Sequence, residues 1–73
     1  MCGIVGFTGR EQAAPVLFSG LKKLEYRGYD SSGIATLSDG KIHLVKAKGR
    51  VSVMEEKSQF GKLLPGTTGI GHT

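Results

Sequence analysis

The chain has 73 residues, a net charge of +4 and a single cysteine. This length allows one small domain at most, and a single cysteine excludes a disulfide within the chain. No apolar run approaches the length that spans a membrane, and the first apolar stretch is too short and too rich in glycine for a signal peptide. The lone thiol predicts a location in the reducing cytoplasm.

The basic residues are scattered, and no aromatic residues are interleaved with them. Surfaces that bind nucleic acid usually combine a basic cluster with aromatic side chains on which bases stack. The composition therefore favours a solvated basic surface and predicts neither a nucleic-acid nor a membrane partner. Cys2, His43 and His72 lack the spacing of metal ligands, so no metal or other cofactor is predicted.

Cys2 directly follows the initiator Met1 and is followed by Gly3. Removal of Met1, which is usual before a small residue, leaves Cys2 with both a thiol and a free α-amine. These groups titrate at similar pH, so the amine is suited to accept the thiol proton. A strand predicted over 2–8 would hold this terminus still. Cys2 is thus a candidate nucleophile, and the alternative is a small buried apolar side chain.

From Glu11 the apolar residues recur every three or four positions, which predicts an amphipathic helix. Its buried face is expected to contain Ala14, Leu17, Phe18, Leu21 and Leu24. Pro15 is expected in the first turn and Glu11 at the electropositive N-terminal end. Gly28 is expected to end the helix. Gly20 either weakens the middle of the helix or permits the close approach of a neighbouring element.

A β-hairpin is predicted from two β-prone runs, 34–37 and 41–45, that flank Asp39-Gly40, the preferred pair for a type I′ turn. The expected pairs are Leu37 with Ile42, Ala35 with Leu44, Ile34 with Val45 and Thr36 with His43. Both faces would carry apolar side chains, which implies further elements that cover them. His43 has no catalytic partner nearby and is interpreted as a structural strand residue.

The last third of the chain predicts a second helix over 51–60, ended by Pro65-Gly66, and the start of a strand over 69–73. The apolar contacts expected of this part are Met54, Phe60, Leu63 and Leu64. Because the final strand has no cap or turn after it, we expect the chain to be a fragment of a longer protein.

Residues 26–33 are expected to form a loop that ends the first helix. A loop alone does not explain the two tyrosines that flank an arginine in its first part, the stretch Tyr26-Arg27-Gly28-Tyr29-Asp30-Ser31. Together with Cys2-Gly3-Ile4-Val5-Gly6, it resembles the start of class II glutamine amidotransferases, which are N-terminal-nucleophile hydrolases. With tyrosine directly before Arg27, the chain resembles the members of this family that aminate fructose 6-phosphate. The members that act in purine and asparagine synthesis usually have histidine at that position. The stretch 68–73 also resembles the former group.

This resemblance implies an α/β fold, the four-layer αββα sandwich of N-terminal-nucleophile hydrolases, only partly represented here. Residues 1–73 would be the first part of the glutaminase domain, and the rest of that domain and the sugar-phosphate isomerase domains would lie outside the chain. The implied catalytic residue is Cys2, and the implied active-site support comes from Arg27, Gly28, Tyr29 and Asp30. The implied substrates are glutamine and, in the isomerase domains, fructose 6-phosphate. The complete protein is implied to be a homodimer that needs no cofactor.

In the family, the cysteine forms a thioester with glutamine and releases ammonia. The Asn-Gly pair that stabilises the oxyanion lies beyond Thr73, as do the arginine and aspartate that bind the substrate. We therefore expect the fragment alone to be inactive. Two alternatives remain open: another class II amidotransferase, such as amidophosphoribosyltransferase, and a small basic binding module in which Cys2 is merely buried.

Overall fold

The computed structural model of the chain describes residues 3–28 and 30–73, with only the backbone of Arg27. The strands of this described part are β1 (Ile4–Thr8), β2 (Ser31–Ser38), β3 (Lys41–Lys48) and β4 (Thr68–His72). The helices are α1 (Ala13–Leu24) and α2 (Val51–Lys57). All four strands pair antiparallel in one sheet, in the order β1-β4-β2-β3. Neither helix is long and apolar enough to cross a membrane.

The predicted hairpin is confirmed in its turn and in its register. Asp39 and Gly40 have φ angles of 53° and 73°, the positive values that a type I′ turn requires. All four predicted pairs form, including Thr36 with His43. Both strands are longer than predicted, because Ser31 pairs with Lys48 at the far end. The assignment of residues 31–33 to a loop was therefore wrong.

Helix α1 buries the predicted face, on which Ala14, Leu17, Phe18 and Leu21 are buried and Leu24 is partly buried. The helix begins at Ala13, so Pro15 lies in the first turn as predicted. Glu11, predicted at the N-terminal end, directly precedes the N-cap residue Gln12 and so lies just outside the first turn. A 3₁₀ turn, Glu25–Arg27, follows, and Gly28 leaves it with a positive φ of 105°.

Helix α2 is shorter than predicted, because it ends at Lys57 and not at residue 60. Gln59 and Phe60 both have a φ of 57°, which a right-handed helix cannot contain. Met54 and Leu64 are buried as expected, but Phe60 is 70% exposed and Leu63 is 46% exposed. The expected contacts of Phe60 and Leu63 were therefore wrong.

The two helices pack on one face of the sheet, and the described core lies between them. Val45 on β3 and Ile34 on β2 point into this core. Within the described residues, the opposite face is uncovered and apolar. Its exposed large side chains are Ile4, Leu37, Ile42, Leu44 and Ile70. An apolar patch of this kind is typical of a surface that packs against another element.

Gly20 lies where α1 approaches β1 most closely, which decides between its two interpretations. A Cβ atom at Gly20 would lie 2.9 Å from Cγ1 of Val5, too close for van der Waals contact. We expect Gly20→Ala to lower the free energy of unfolding by about 1 kcal/mol, because overpacking costs about 1–3 kcal/mol and the gain in helix propensity is about 1 kcal/mol. Denaturant unfolding of the complete protein, monitored on the N-terminal domain, measures this change.

Ser19 provides the matched control for Gly20, because it is the preceding residue of α1 and is exposed. Ser19→Ala should raise stability slightly, since alanine favours the helix and meets no neighbour there. Equal stabilisation by both substitutions would show that the contact between Gly20 and Val5 is not limiting.

Candidate active site

The candidate site lies at the end of the sheet where β1 begins and β4 ends. Ile4 pairs with His72, and the backbone N–H of Thr73 donates a hydrogen bond of 3.0 Å to the carbonyl oxygen of Gly3. Gly3 is the residue that follows Cys2 in the sequence. Cys2 itself lies outside the described residues, so its role stays a prediction, but its immediate neighbour is fixed against the end of β4.

The start of β2 lies at the same end of the sheet. Gly33 pairs with His72, and a Cβ atom at Gly33 would lie 3.1 Å from Nε2 of His72. The imidazole therefore lies close over Gly33, where a side chain would crowd it. His72 on β4 therefore joins β2, which follows the 26–31 stretch, to β1, which follows Cys2. The two motifs of the sequence thus converge at one place in the fold.

Hydrogen bonds hold the described ends of the stretch from Glu25 to Asp30. The N–H of Gly28 donates to the carbonyl oxygen of Glu25 at 2.8 Å, which closes the 3₁₀ turn. The N–H of Gly49 donates to the carbonyl oxygen of Asp30 at 2.8 Å. The N–H of Val51 donates to Oε2 of Glu25 at 2.7 Å. Both ends of the stretch are therefore tied to the turn between β3 and α2.

The predicted supporting residues are only partly visible. Gly28 and Asp30 are described and exposed, whereas Tyr29 and the side chain of Arg27 lie outside the described part. Their assignment to the active site stays a prediction.

Sequence reasoning missed the contact of Glu25, although one signal existed. The segment before α2, Gly49-Arg50, lacks the Ser, Thr, Asp or Asn that usually caps a helix, so a partner from elsewhere was needed.

A basic groove of about 450 Å³ opens at this end of the sheet. It is lined by Ser31, Ser32, Lys46, Ala47, Lys48, Lys57 and His72. Its charge would favour anionic groups. Nζ of Lys57 donates to the carbonyl oxygen of Lys46 at 2.7 Å, which ties α2 to β3 beside the groove. In the part of the chain that the structure describes, no group of three His, Cys, Asp or Glu residues is placed to hold a metal ion.

Comparison with known proteins agrees with the resemblance that the two motifs indicate. No protein-family model matches the chain. Over all 73 residues it is 56% identical to the isomerizing glutamine–fructose-6-phosphate aminotransferase of Caldanaerobacter subterraneus subsp. tengcongensis. The enzymes of the same name from Clostridium acetobutylicum and Pyrococcus horikoshii are 53% and 52% identical. The chain is homologous to the N-terminal region of these aminotransferases. It spans 12% of the length of each.

A solved structure, described as that of the allosteric regulatory enzyme of purine biosynthesis, also matches the whole chain. The TM-score is 0.79 at 29% sequence identity, and the match covers 15% of that protein. The fold is the α/β fold of N-terminal-nucleophile glutamine amidotransferases, of which this chain forms a part. The predicted resemblance to class II glutamine amidotransferases is thereby confirmed, and the higher identity lies with the aminotransferases that use fructose 6-phosphate.

Proposed function

We propose that residues 1–73 form the N-terminal part of the glutaminase domain of a glucosamine-6-phosphate synthase, the glutamine–fructose-6-phosphate aminotransferase. The complete protein would transfer the amide nitrogen of glutamine to fructose 6-phosphate. The observation that carries this proposal is the identity of 51–56% to enzymes of that name along the entire chain. The purine enzyme, at 29%, supports the shared glutaminase chemistry more than a shared acceptor.

In the proposed reaction, Cys2 becomes the first residue after loss of Met1, and its α-amine accepts the thiol proton. The sulfur attacks the side-chain carbonyl carbon of glutamine and forms a tetrahedral oxyanion. This intermediate collapses as the C–N bond breaks, and the proton passes from the amine to the leaving nitrogen, so that ammonia departs. Water then hydrolyses the γ-glutamyl thioester, which releases glutamate and restores the thiol.

The backbone of this end of the sheet supports the proposal. The hydrogen bond between Thr73 and Gly3 fixes the residue beside the nucleophile, and precise placement of reacting groups is a large part of catalysis. Arg27, Gly28, Tyr29 and Asp30 would support the site from the adjacent stretch. The donors for the oxyanion would lie beyond Thr73, and each such donor typically contributes about 10²–10³ in rate. The 73-residue piece alone is therefore proposed to be inactive.

The uncovered apolar face of the sheet is proposed to pack on the second sheet of the same domain, supplied by the rest of the protein. Ile4 and Ile70 are 81% and 62% exposed on that face, and burial of such side chains stabilises a fold. The complete protein is further proposed to be a cytoplasmic homodimer, on the basis of the resemblance and of the lone cysteine. Its molar mass in solution and cell fractionation check these two points.

The test uses the complete purified protein. Intact-mass measurement should show that Met1 is removed, and incubation with glutamine and fructose 6-phosphate should yield glutamate and glucosamine 6-phosphate. A glutamine-mimicking electrophile should add once to Cys2, and excess glutamine should slow this addition because both occupy the same site.

Three other outcomes would contradict the proposal in different ways. Full activity with Met1 retained would exclude the α-amine as the base. Amination of a phosphoribosyl acceptor instead of fructose 6-phosphate would identify another class II amidotransferase. Absence of both glutamate release and labelling of Cys2 would favour the binding module.

A further inference from the structure

The first turn of α2 takes its acceptor from a distant part of the chain. The first N–H groups of a helix have no partner within the helix, and a carboxylate near them is favoured by the helix dipole. The residue before α2, Arg50, makes no side-chain cap, and the first turn of α2 contains no acidic residue. Oε2 of Glu25, 26 residues earlier, accepts the N–H of Val51 at 2.7 Å in a partly buried position.

Glu25 is also the first residue of the stretch that leads to the candidate site. Its carbonyl oxygen accepts the N–H of Gly28, so the same residue closes the 3₁₀ turn and binds α2. At the other end of the stretch, the carbonyl oxygen of Asp30 accepts the N–H of Gly49. Glu25 is thus hydrogen-bonded to the first residue of α2, and Asp30 to the turn that precedes α2.

From Asp30 the chain continues directly into β2, whose Gly33 pairs with His72. His72 in turn pairs with Ile4, next to Gly3. A shift of the stretch relative to α2 would therefore be transmitted through two strand pairs to the residues beside the nucleophile. Displacement of about 1 Å of a supporting group can reduce catalysis on the order of a hundredfold.

We propose that Glu25 is a positioning residue of the glutaminase reaction, whose carboxylate holds the 3₁₀ turn that ends at Gly28 to the first turn of α2. This inference rests on the proposed function. Glu25 acts through the stretch that follows it and through Val51, and the side chains proposed to support the site are those of that stretch.

A second carboxylate offers a matched control. Oε1 of Glu55 lies 2.7 Å from Nζ of Lys22, so this pair joins α1 to α2, and Lys22 precedes the 3₁₀ turn. The contact of Glu25 instead joins the 3₁₀ turn itself, which belongs to the stretch, to α2. A purely structural role predicts the same behaviour for the loss of either carboxylate.

The experiment compares Glu25→Ala, Glu25→Gln and Glu55→Ala in the complete protein. Relative to wild type, Glu25→Ala should lower kcat/KM for glutamate release by roughly ten- to a hundredfold, at temperatures where all variants are folded. Glu25→Gln should recover activity to within about threefold of wild type, because its amide oxygen accepts the same hydrogen bond. Glu55→Ala should change the melting temperature and leave kcat/KM near that of wild type.

Labelling of Cys2 provides a second measurement. A purely structural role of Glu25 would not change its result. A glutamine-mimicking electrophile should label Glu25→Ala more slowly, in parallel with kcat/KM. Iodoacetamide, which needs no substrate geometry, should label wild type and Glu25→Ala at equal rates. Equal slowing with both reagents would overturn the positioning role, because it would indicate a general effect on the thiol or on folding.

Val51→Pro keeps the inference testable if Glu25→Ala does not fold. Proline is favoured at the first position of a helix and lacks the N–H that donates to Glu25. Because the side chain of Val51 is buried, Val51→Ala, which alters the packing but keeps the N–H, is its control. Val51→Pro should therefore lower kcat/KM in the manner of Glu25→Ala, and adding Glu25→Gln should cause no further loss. An active wild type with an equally active Glu25→Ala or Val51→Pro refutes this inference alone. A wild type that releases no glutamate refutes the proposed function and this inference with it.

Discussion

Cys2→Ala is expected to reduce glutamate release by the complete protein by about 10³-fold or more, because it removes the sulfur proposed to attack glutamine. Alanine is also small enough for Met1 to be removed before it, so the variant keeps a free amino terminus. The measurement is steady-state release of glutamate from glutamine, with intact mass used to verify the terminus. Undiminished hydrolysis by Cys2→Ala would refute the assignment of the nucleophile.

A second variant separates the thiol from the amine. Insertion of one alanine between Met1 and Cys2 keeps the thiol but moves the free α-amine to another residue. Activity should fall by about 10²–10⁴-fold, the usual contribution of a positioned base. If mass spectrometry shows the added alanine at the terminus while glutamate release continues at the wild-type rate, the amine is not the base.

The part of the fold that could be predicted from sequence is the part fixed by local rules. Asp39-Gly40 determines the turn, and the turn determines which residues of β2 and β3 face each other, so the register was correct. The spacing of Leu17 and Leu21 gave the buried face of α1 in the same way. Each inference needed only residues a few positions apart.

The errors arose where a distant segment decides the outcome. Residues 31–33 extend β2 because the far end of β3 pairs with them, and Gly33 also meets His72 from the other end of the chain. Nothing in the sequence around Phe60 indicates that its φ is positive or that its ring is exposed. Sequence reasoning found the two motifs of the candidate site, but it could not show that His72 brings them together by pairing with both Ile4 and Gly33.

The contact of Glu25 illustrates the same limit for the site. Its position immediately before Tyr26 placed it beside the motif, but its partner Val51 lies 26 residues away. A missing cap at α2 indicated that some acceptor was needed, and only the tertiary structure identifies which one. Positioning residues of this kind are recognised from the hydrogen bonds they make and not from their residue type.

The largest loss of stability is expected for Gly66→Ala, at the segment that leads into β4. Gly66 has a φ of 117°, and a Cβ atom there would overlap the carbonyl oxygen of Leu37. Its N–H donates to Oε1 of Gln12 at 3.2 Å, and its carbonyl oxygen accepts the N–H of Ala13 at 2.9 Å. A shift of Gly66 away from Leu37 would therefore strain its two hydrogen bonds to the start of α1.

We expect Gly66→Ala to cost about 3 kcal/mol or more in the free energy of unfolding, from backbone strain together with overpacking. Gly40→Ala is the matched control, since Gly40 also has a positive φ, 73°, but no atom lies within 4 Å of its would-be Cβ. It should cost only about 1–2 kcal/mol, the penalty of the backbone conformation alone. Denaturant unfolding of both variants of the complete protein measures the difference.

Gly66→Ala should also lower glutaminase activity in the fraction that remains folded. Gly66 precedes β4, whose end holds Gly3 through the hydrogen bond from Thr73, so displacement of the strand moves the backbone beside Cys2. Gly40→Ala lies at the opposite end of the sheet and should leave kcat/KM for glutamate release unchanged. Equal stability of the two variants would show that the sheet tolerates a side chain at Gly66 and that β4 is not held where the hydrogen bonds place it.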